Sequence, residues 1–249
     1  MLSYAGDTKK LPETSDVFEH RLTDKVWDDH HFQRCIHMEK GTLFLHGAPG
    51  LGKTTTATRI VHRLLERRAE ISVAYRFFDI EESPSQHSAD KIAMRLLLQI
   101  CGEIGNFPAC VCELYEVRDS REITLQTIES TLTAVIKENN KDCVIVLDAM
   151  DQCRNGAALE SLLGALFRIQ NATRIGIIAT DRRDRRKDPR CMPFASPESL
   201  ELHSMSEDIE AYVTRRLKSN ALLLQDGNDV EQKRFVEACD SILGSSGGL

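Results

Sequence analysis

The chain has 249 residues, a net charge of −6 and a pI near 5.8, with 41% hydrophobic and 28% charged residues. That length holds one α/β domain or a large piece of a longer protein, and the acidic balance speaks against a general nucleic-acid binder. No apolar run approaches the roughly 18 residues of a membrane-spanning helix, and the polar start Met1-Leu2-Ser3-Tyr4 lacks a secretory core, so a cytoplasmic protein with no membrane span is expected.

Residues 1–38 read as a linker and helical lead-in, with Lys9, Lys10 and Pro12 in the linker and Trp27, Phe32 and Ile36 placing a short helix against the first strand. Asp28, Asp29, His30 and His31 form a run of metal-ligand types, but adjacent helical residues point in different directions, so a solvated helix surface is the expectation. Residues 42–46 are an apolar run that reads as a buried strand. After a glycine-rich turn, Ala57, Ile60, Val61, Leu64 and Leu65 recur on one helical face. Residues 71–79 are β-branched and aromatic and predict a second strand. Residues 81–85 read as a loop, Ile92, Leu96 and Ile100 continue a helical period that stops at residues 102–105, and residues 106–108 break it again. A further helix runs from Thr124 through Leu125, Ile128, Leu132, Val135 and Ile136.

Residues 143–148 are continuously apolar up to Asp148, as expected of a central parallel strand. Leu159, Leu162, Leu163, Leu166 and Phe167 mark the next helix, residues 174–180 another buried strand, and residues 199–203 a short fifth one. The mixed-sign run over residues 181–190 reads as a solvated loop rather than a nucleic-acid patch. Residues 204–207 fit a capping box, Ile209, Tyr212, Val213 and Leu217 mark a helix, and Phe235, Ala238, Cys239 and Ile242 one more. The closing residues 245–248 contain no natural stop, which reads as a fragment of a longer chain. The eight cysteines are expected to be reduced thiols, and Cys110 with Cys112 has no second pair at zinc-site spacing.

The chemistry concentrates in Gly47-Ala48-Pro49-Gly50-Leu51-Gly52-Lys53-Thr54, followed by Thr55. The pattern is that of a phosphate-binding loop between a strand and a helix. Glycines allow a tight turn that aims amides at an anion, and the helix start adds its dipole and unpaired N–H groups. Lys53 would reach the β- and γ-phosphates, and Thr54 would hold Mg²⁺. Asp148, at the carboxyl end of a later strand, is the expected metal partner, usually through water. A cap for the following helix is its bland alternative. The strand–helix alternation predicts a three-layer αβα sandwich around a five-stranded parallel sheet. Numbering strands along the chain, the order is 2-3-4-1-5.

Residues 42–55 (TLFLHGAPGLGKTT), 73–79 (VAYRFFD), 144–153 (VIVLDAMDQC), 175–183 (IGIIATDRR) and 207–217 (EDIEAYVTRRL), with the closing Gly-Gly-Leu, resemble the NACHT subgroup of signal-transducing P-loop NTPases. The resemblance is greatest to fungal NACHT proteins that carry ankyrin repeats, a region also filed as a nephrocystin-type N-terminal NTPase domain. It implies an NTPase domain over residues 39–220 and the start of a helical region over residues 221–249. It further implies an ATP- or GTP-driven, Mg²⁺-dependent signalling switch of the kind used in innate immunity, with slow or no hydrolysis. Partners would be other protein domains or further copies of the chain, engaged through C-terminal regions.

The same resemblance carries Asp151 over as the second acid and Arg182 as the sensing arginine of a T-S-R motif. Two positions depart from the family. Gln152 stands where an acid is usual and cannot act as a general base, and Asp181 replaces a serine, setting a negative charge beside a triphosphate unless it faces away. A turning-over NTPase and a degenerate interaction module without nucleotide are the alternatives; the intact loop argues against the second.

Overall fold

The computed structural model describes residues 21–37, 41–104, 108–117, 123–139, 141–188 and 197–203. The linker around Lys9, the capping pattern at 204–207 and the two C-terminal helices expected from sequence lie outside them. Five strands form one parallel sheet: β1 (Thr42–His46), β2 (Ile71–Phe77), β3 (Asp142–Asp148), β4 (Ile175–Asp181) and β5 (Glu198–Glu201). Their order is β2-β3-β4-β1-β5, as the sequence predicted. β1, β3 and β4 have neighbours on both sides, which is why they read as unbroken apolar runs.

Direction of travel decides the layers. From β1 the chain crosses to the far edge strand β2, then returns through β3 to β4. Right-handed crossovers therefore put the helix after β1 on one face and those after β2 and β3 on the other. The first face carries α1 (Arg21–Trp27), α2 (His30–Ile36) and α3 (Lys53–Glu66). The second carries α4 (Ala89–Ile104), α5 (Ala109–Val117), α6 (Leu125–Asn139) and α7 (Gly156–Ala172). Strand alternation feeds both cores: Val144 and Val146 join Leu43, Ile60 and Leu64, while Ile145 and Leu147 join Leu96, Leu132 and Leu162.

The differences from the sequence reading are local. The lead-in holds two short helices rather than one. Asp29 is not a bare surface residue, because its carboxylate accepts the N–H of His31 at 2.9 Å and of Phe32 at 3.3 Å and so starts α2. α5 follows Pro108 where only a chain break was read, and among its described side chains it buries just Val111 and Leu114, too sparse a pattern to stand out. The second strand ends at Phe77 rather than 79, and the fifth spans 198–201 rather than 199–203. No helix among the described residues is long and apolar enough to cross a membrane.

Candidate functional site

Because every strand runs the same way, the ends of β1, β3 and β4 open onto one edge, with His46 beside Asp181 and Phe77 beside Asp148. Residues 47–52 leave β1 there. At Gly47 a Cβ would lie 2.6 Å from the Leu202 carbonyl and 3.0 Å from Leu51 Cδ1, so the exit of β5 admits only glycine. Gly50 and Gly52 sit at φ +85° and +77°, the left-handed region that side chains resist. The glycine at position 50 lies outside the fixed positions of the motif, and this backbone is its reason.

Gly52 precedes α3 and brings no side chain to cap it, and the first turn carries no acid. The positive end of the helix is therefore open to an external anion. Lys53 Nζ donates to the Gly47 and Ala48 carbonyls, both at 2.7 Å, and so arches over the loop. Partial burial holds its ammonium below the usual lysine range, against the pull of the Asp151, Asp148 and Asp181 carboxylates, with Arg182 adding to the lowering. Ala48, Pro49, Gly50 and Thr54 are exposed, while Leu51 and Thr55 are half-buried.

Asp148 ends β3 and is 1% exposed. Burial raises its carboxyl above the ordinary range, opposed by hydrogen bonding from Thr180 and Thr54. Thr180, at the end of β4, donates to Asp148 Oδ1 at 2.6 Å and accepts the Ala149 N–H at 2.8 Å. Ala149 takes φ +56°, a left-handed conformation that costs a non-glycine residue about 1 kcal/mol. The strained residue follows the acid directly. Asp148 is not a helix cap: Asn155 caps α7 by accepting the Ala158 N–H at 3.0 Å.

Met150–Gln152 forms a single helical turn that carries Asp151 to the same edge, where Arg182 Nε lies 2.8 Å from its Oδ2. The two residues assigned by resemblance alone are thus brought together as a half-exposed ion pair. Asp181 is 1% exposed and does not face a phosphate unpartnered. It accepts the Arg183 N–H at 2.9 Å and Arg185 Nε at 2.6 Å, and Arg185 also pairs with Asp188. The run read as a solvated loop is in this part an internal ion network. The end of β4 at Thr180 was a sequence landmark for sensing a phosphate, but the bond from Thr180 to Asp148 was not foreseen, because it appears only once register sets β4 against β3.

The donor set suits Mg²⁺ with a polyphosphate: uncapped amides, one ammonium, one hydroxyl, and a buried carboxylate that needs a cation to ionise readily. Among the described residues no group of three or more His, Cys, Asp or Glu side chains could hold a metal by itself, so a metal here would draw further ligands from phosphate and water.

A family model described as nephrocystin 3, N-terminal matches residues 22–182. A search of curated proteins finds no match. Among solved structures, the Orc1 protein of Aeropyrum pernix in complex with DNA is similar with a TM-score of 0.52 at 16% identity, over 85% of this chain and 52% of that one. Drosophila ORC bound to AT-rich DNA and Cdc6 is similar with a TM-score of 0.52 at 11% identity, over 80% of this chain and 31% of that one. This chain spans about half or less of those chains, and at such identities the likeness is one of fold.

Proposed function

Since the chain belongs to the nephrocystin 3 N-terminal family and has the P-loop NTPase fold, we propose that it is a Mg²⁺-dependent ATP- or GTP-binding domain that acts as a signalling switch with slow hydrolysis. One observation carries the reading: α3 starts with Lys53 and Thr54 where the loop leaves β1, and β3 ends in the buried Asp148 at that same carboxyl edge of the parallel sheet. The amides of residues 47–55 and the Lys53 ammonium would hold the phosphates. Thr54 and Asp148 would hold Mg²⁺, which neutralises phosphate charge. Thr180 keeps Asp148 in one orientation through the 2.6 Å bond.

Asp151 would accept a proton from an attacking water, and Arg182 would read a terminal phosphate. Their mutual ion pair supports a slow reaction, because Arg182 must leave Asp151 to serve a phosphate. The switch would act on a larger NACHT-like, ankyrin-bearing cytoplasmic protein or on further copies of this chain. The DNA in the Orc1 and ORC structures belongs to those proteins, and the net charge of −6 gives no support for it here.

Titration with a fluorescent nucleotide tests the reading. Lys53→Ala should bind at least tenfold more weakly than the parent, with unchanged circular dichroism; equal affinity counts against the assignment. Turnover at saturating nucleotide separates a switch from a working NTPase.

A further inference from the structure

The connection after β2 buries an imidazole for which the nucleotide reading has no use. His87 is 0% exposed. Its Nδ1 takes the Arg154 N–H at 3.1 Å, and its Nε2 lies 3.2 Å from Glu82 Oε2. A nitrogen that accepts a backbone N–H carries no proton, so the proton sits on Nε2 and is donated to Glu82. Glu82 also pairs with Arg76, which is 5% exposed and lies 5.5 Å over the Phe78 ring. Phe78 in turn meets His87 edge to face at 6.0 Å. Ring orientation and tautomer are therefore both fixed by neighbours.

Arg154 comes three positions after Asp151 in the chain. The intervening backbone is a tight turn, closed by Gln152 N to Ala149 O at 2.9 Å and Cys153 N to Met150 O at 3.2 Å. Thr180 of β4 pins the start of that turn through the Ala149 N–H. His87, on the connection leaving β2, pins its end. β2 and β4 are the two neighbours of β3, so the acid-bearing turn is tied from both sides, one tie a hydroxyl and the other an imidazole 67 residues away.

We propose that His87 is a positioning residue for Asp151: its Nδ1, by holding the Arg154 N–H, sets the turn that presents the Asp151 carboxylate, and so couples the β2–α4 connection to nucleotide hydrolysis. The proposal rests on the reading of Asp151 as the hydrolytic carboxylate. His87 acts through backbone and touches neither phosphate nor metal, so its removal should slow the chemical step while leaving nucleotide affinity in place.

Two substitutions separate the two ring nitrogens. His87→Asn keeps an acceptor near the Nδ1 position, and His87→Gln keeps a donor near Nε2 but no acceptor for Arg154. Hydrogen exchange of the Arg154 amide is read in the nucleotide-free chain, and single-turnover hydrolysis and affinity are read with MgATP or MgGTP, whichever the parent binds more tightly. In His87→Gln the Arg154 amide should exchange about tenfold or more faster and hydrolysis should slow about tenfold, with affinity within twofold of the parent. His87→Asn should recover much of both. Equal Arg154 exchange in all three proteins overturns the proposal, as does a loss of affinity as large as the loss of rate, or a parent that binds that nucleotide without hydrolysing it. A parent that binds neither MgATP nor MgGTP sinks the nucleotide reading instead, and the exchange data alone then report whether the tie exists.

Discussion

The two ends of the sheet bury polar groups in opposite ways. At the amino end, Gln170 Nε2 donates to Gly41 O and Ile175 O, both at 3.2 Å, Thr42 Oγ1 donates to Gln170 Oε1 at 3.3 Å, and Thr173 Oγ1 donates to Ile169 O at 2.6 Å. Cys35 of α2 packs between Gly41 and Gly176, and burial pushes its thiol up to about 12. These groups are neutral and held by neighbours, an arrangement that adds stability and specifies packing. At the carboxyl end, Asp148 and Asp181 are each 1% exposed, beside a left-handed alanine. Buried charge and backbone strain detract from stability. One end holds the fold, and the other gathers the residues of the proposed nucleotide site.

Breaking the internal ion network should have the largest effect. Arg185→Ala leaves Asp181 buried without its cation, and urea unfolding should show a loss of roughly 3–5 kcal/mol. Adding Asp181→Asn to that variant should restore part of it, because the stranded charge is the main cost. No recovery would mean that Arg185 acts through packing alone.

At the opposite end, Gly176→Ala would set a Cβ onto the Cys35 carbonyl oxygen. Overpacking of this kind should cost about 3 kcal/mol while leaving the affinity of the folded fraction for nucleotide unchanged. A loss of affinity in the folded fraction would show that the two ends are coupled, and the contrast would need redrawing.

The sheet order, the phosphate loop and Asp148 were legible because each is a local signal: an apolar run, a glycine pattern, an acid after a strand. The strand end at Thr180 was legible too, but its bond to Asp148 was not, since a threonine there becomes a partner of Asp148 only after register aligns β4 with β3. Asp181 was misjudged for a related reason. Alternating charges over residues 181–188 read as solvated, and only the turn after β4 reveals that Arg185 folds back four positions to meet the carboxylate. His87 gave no signal, because the backbone group it holds lies 67 positions later. Family likeness pointed to Asp151 and Arg182 separately, and no sequence pattern joined them as the ion pair that they form.

The smallest effect is the most informative. Asp148 has its carboxyl raised by burial, so in the metal-free protein the ionised form is disfavoured by folding. Stability tied to this group is present below the ordinary aspartate value of 3.8 and is lost as pH rises through the raised folded value. Asp148→Asn removes that charge and should stabilise the metal-free chain by about 1 kcal/mol at neutral pH, with the gap closing as pH falls towards 3.8.

Thermal melting of parent and Asp148→Asn, first with EDTA and then with saturating Mg²⁺ and whichever of ATP or GTP the parent binds, tests the central claim most directly. The account predicts an inversion: the variant melts higher in EDTA, and the parent melts higher with Mg²⁺ and nucleotide because only it holds the metal-bound nucleotide. The same order of stability under both conditions would contradict it.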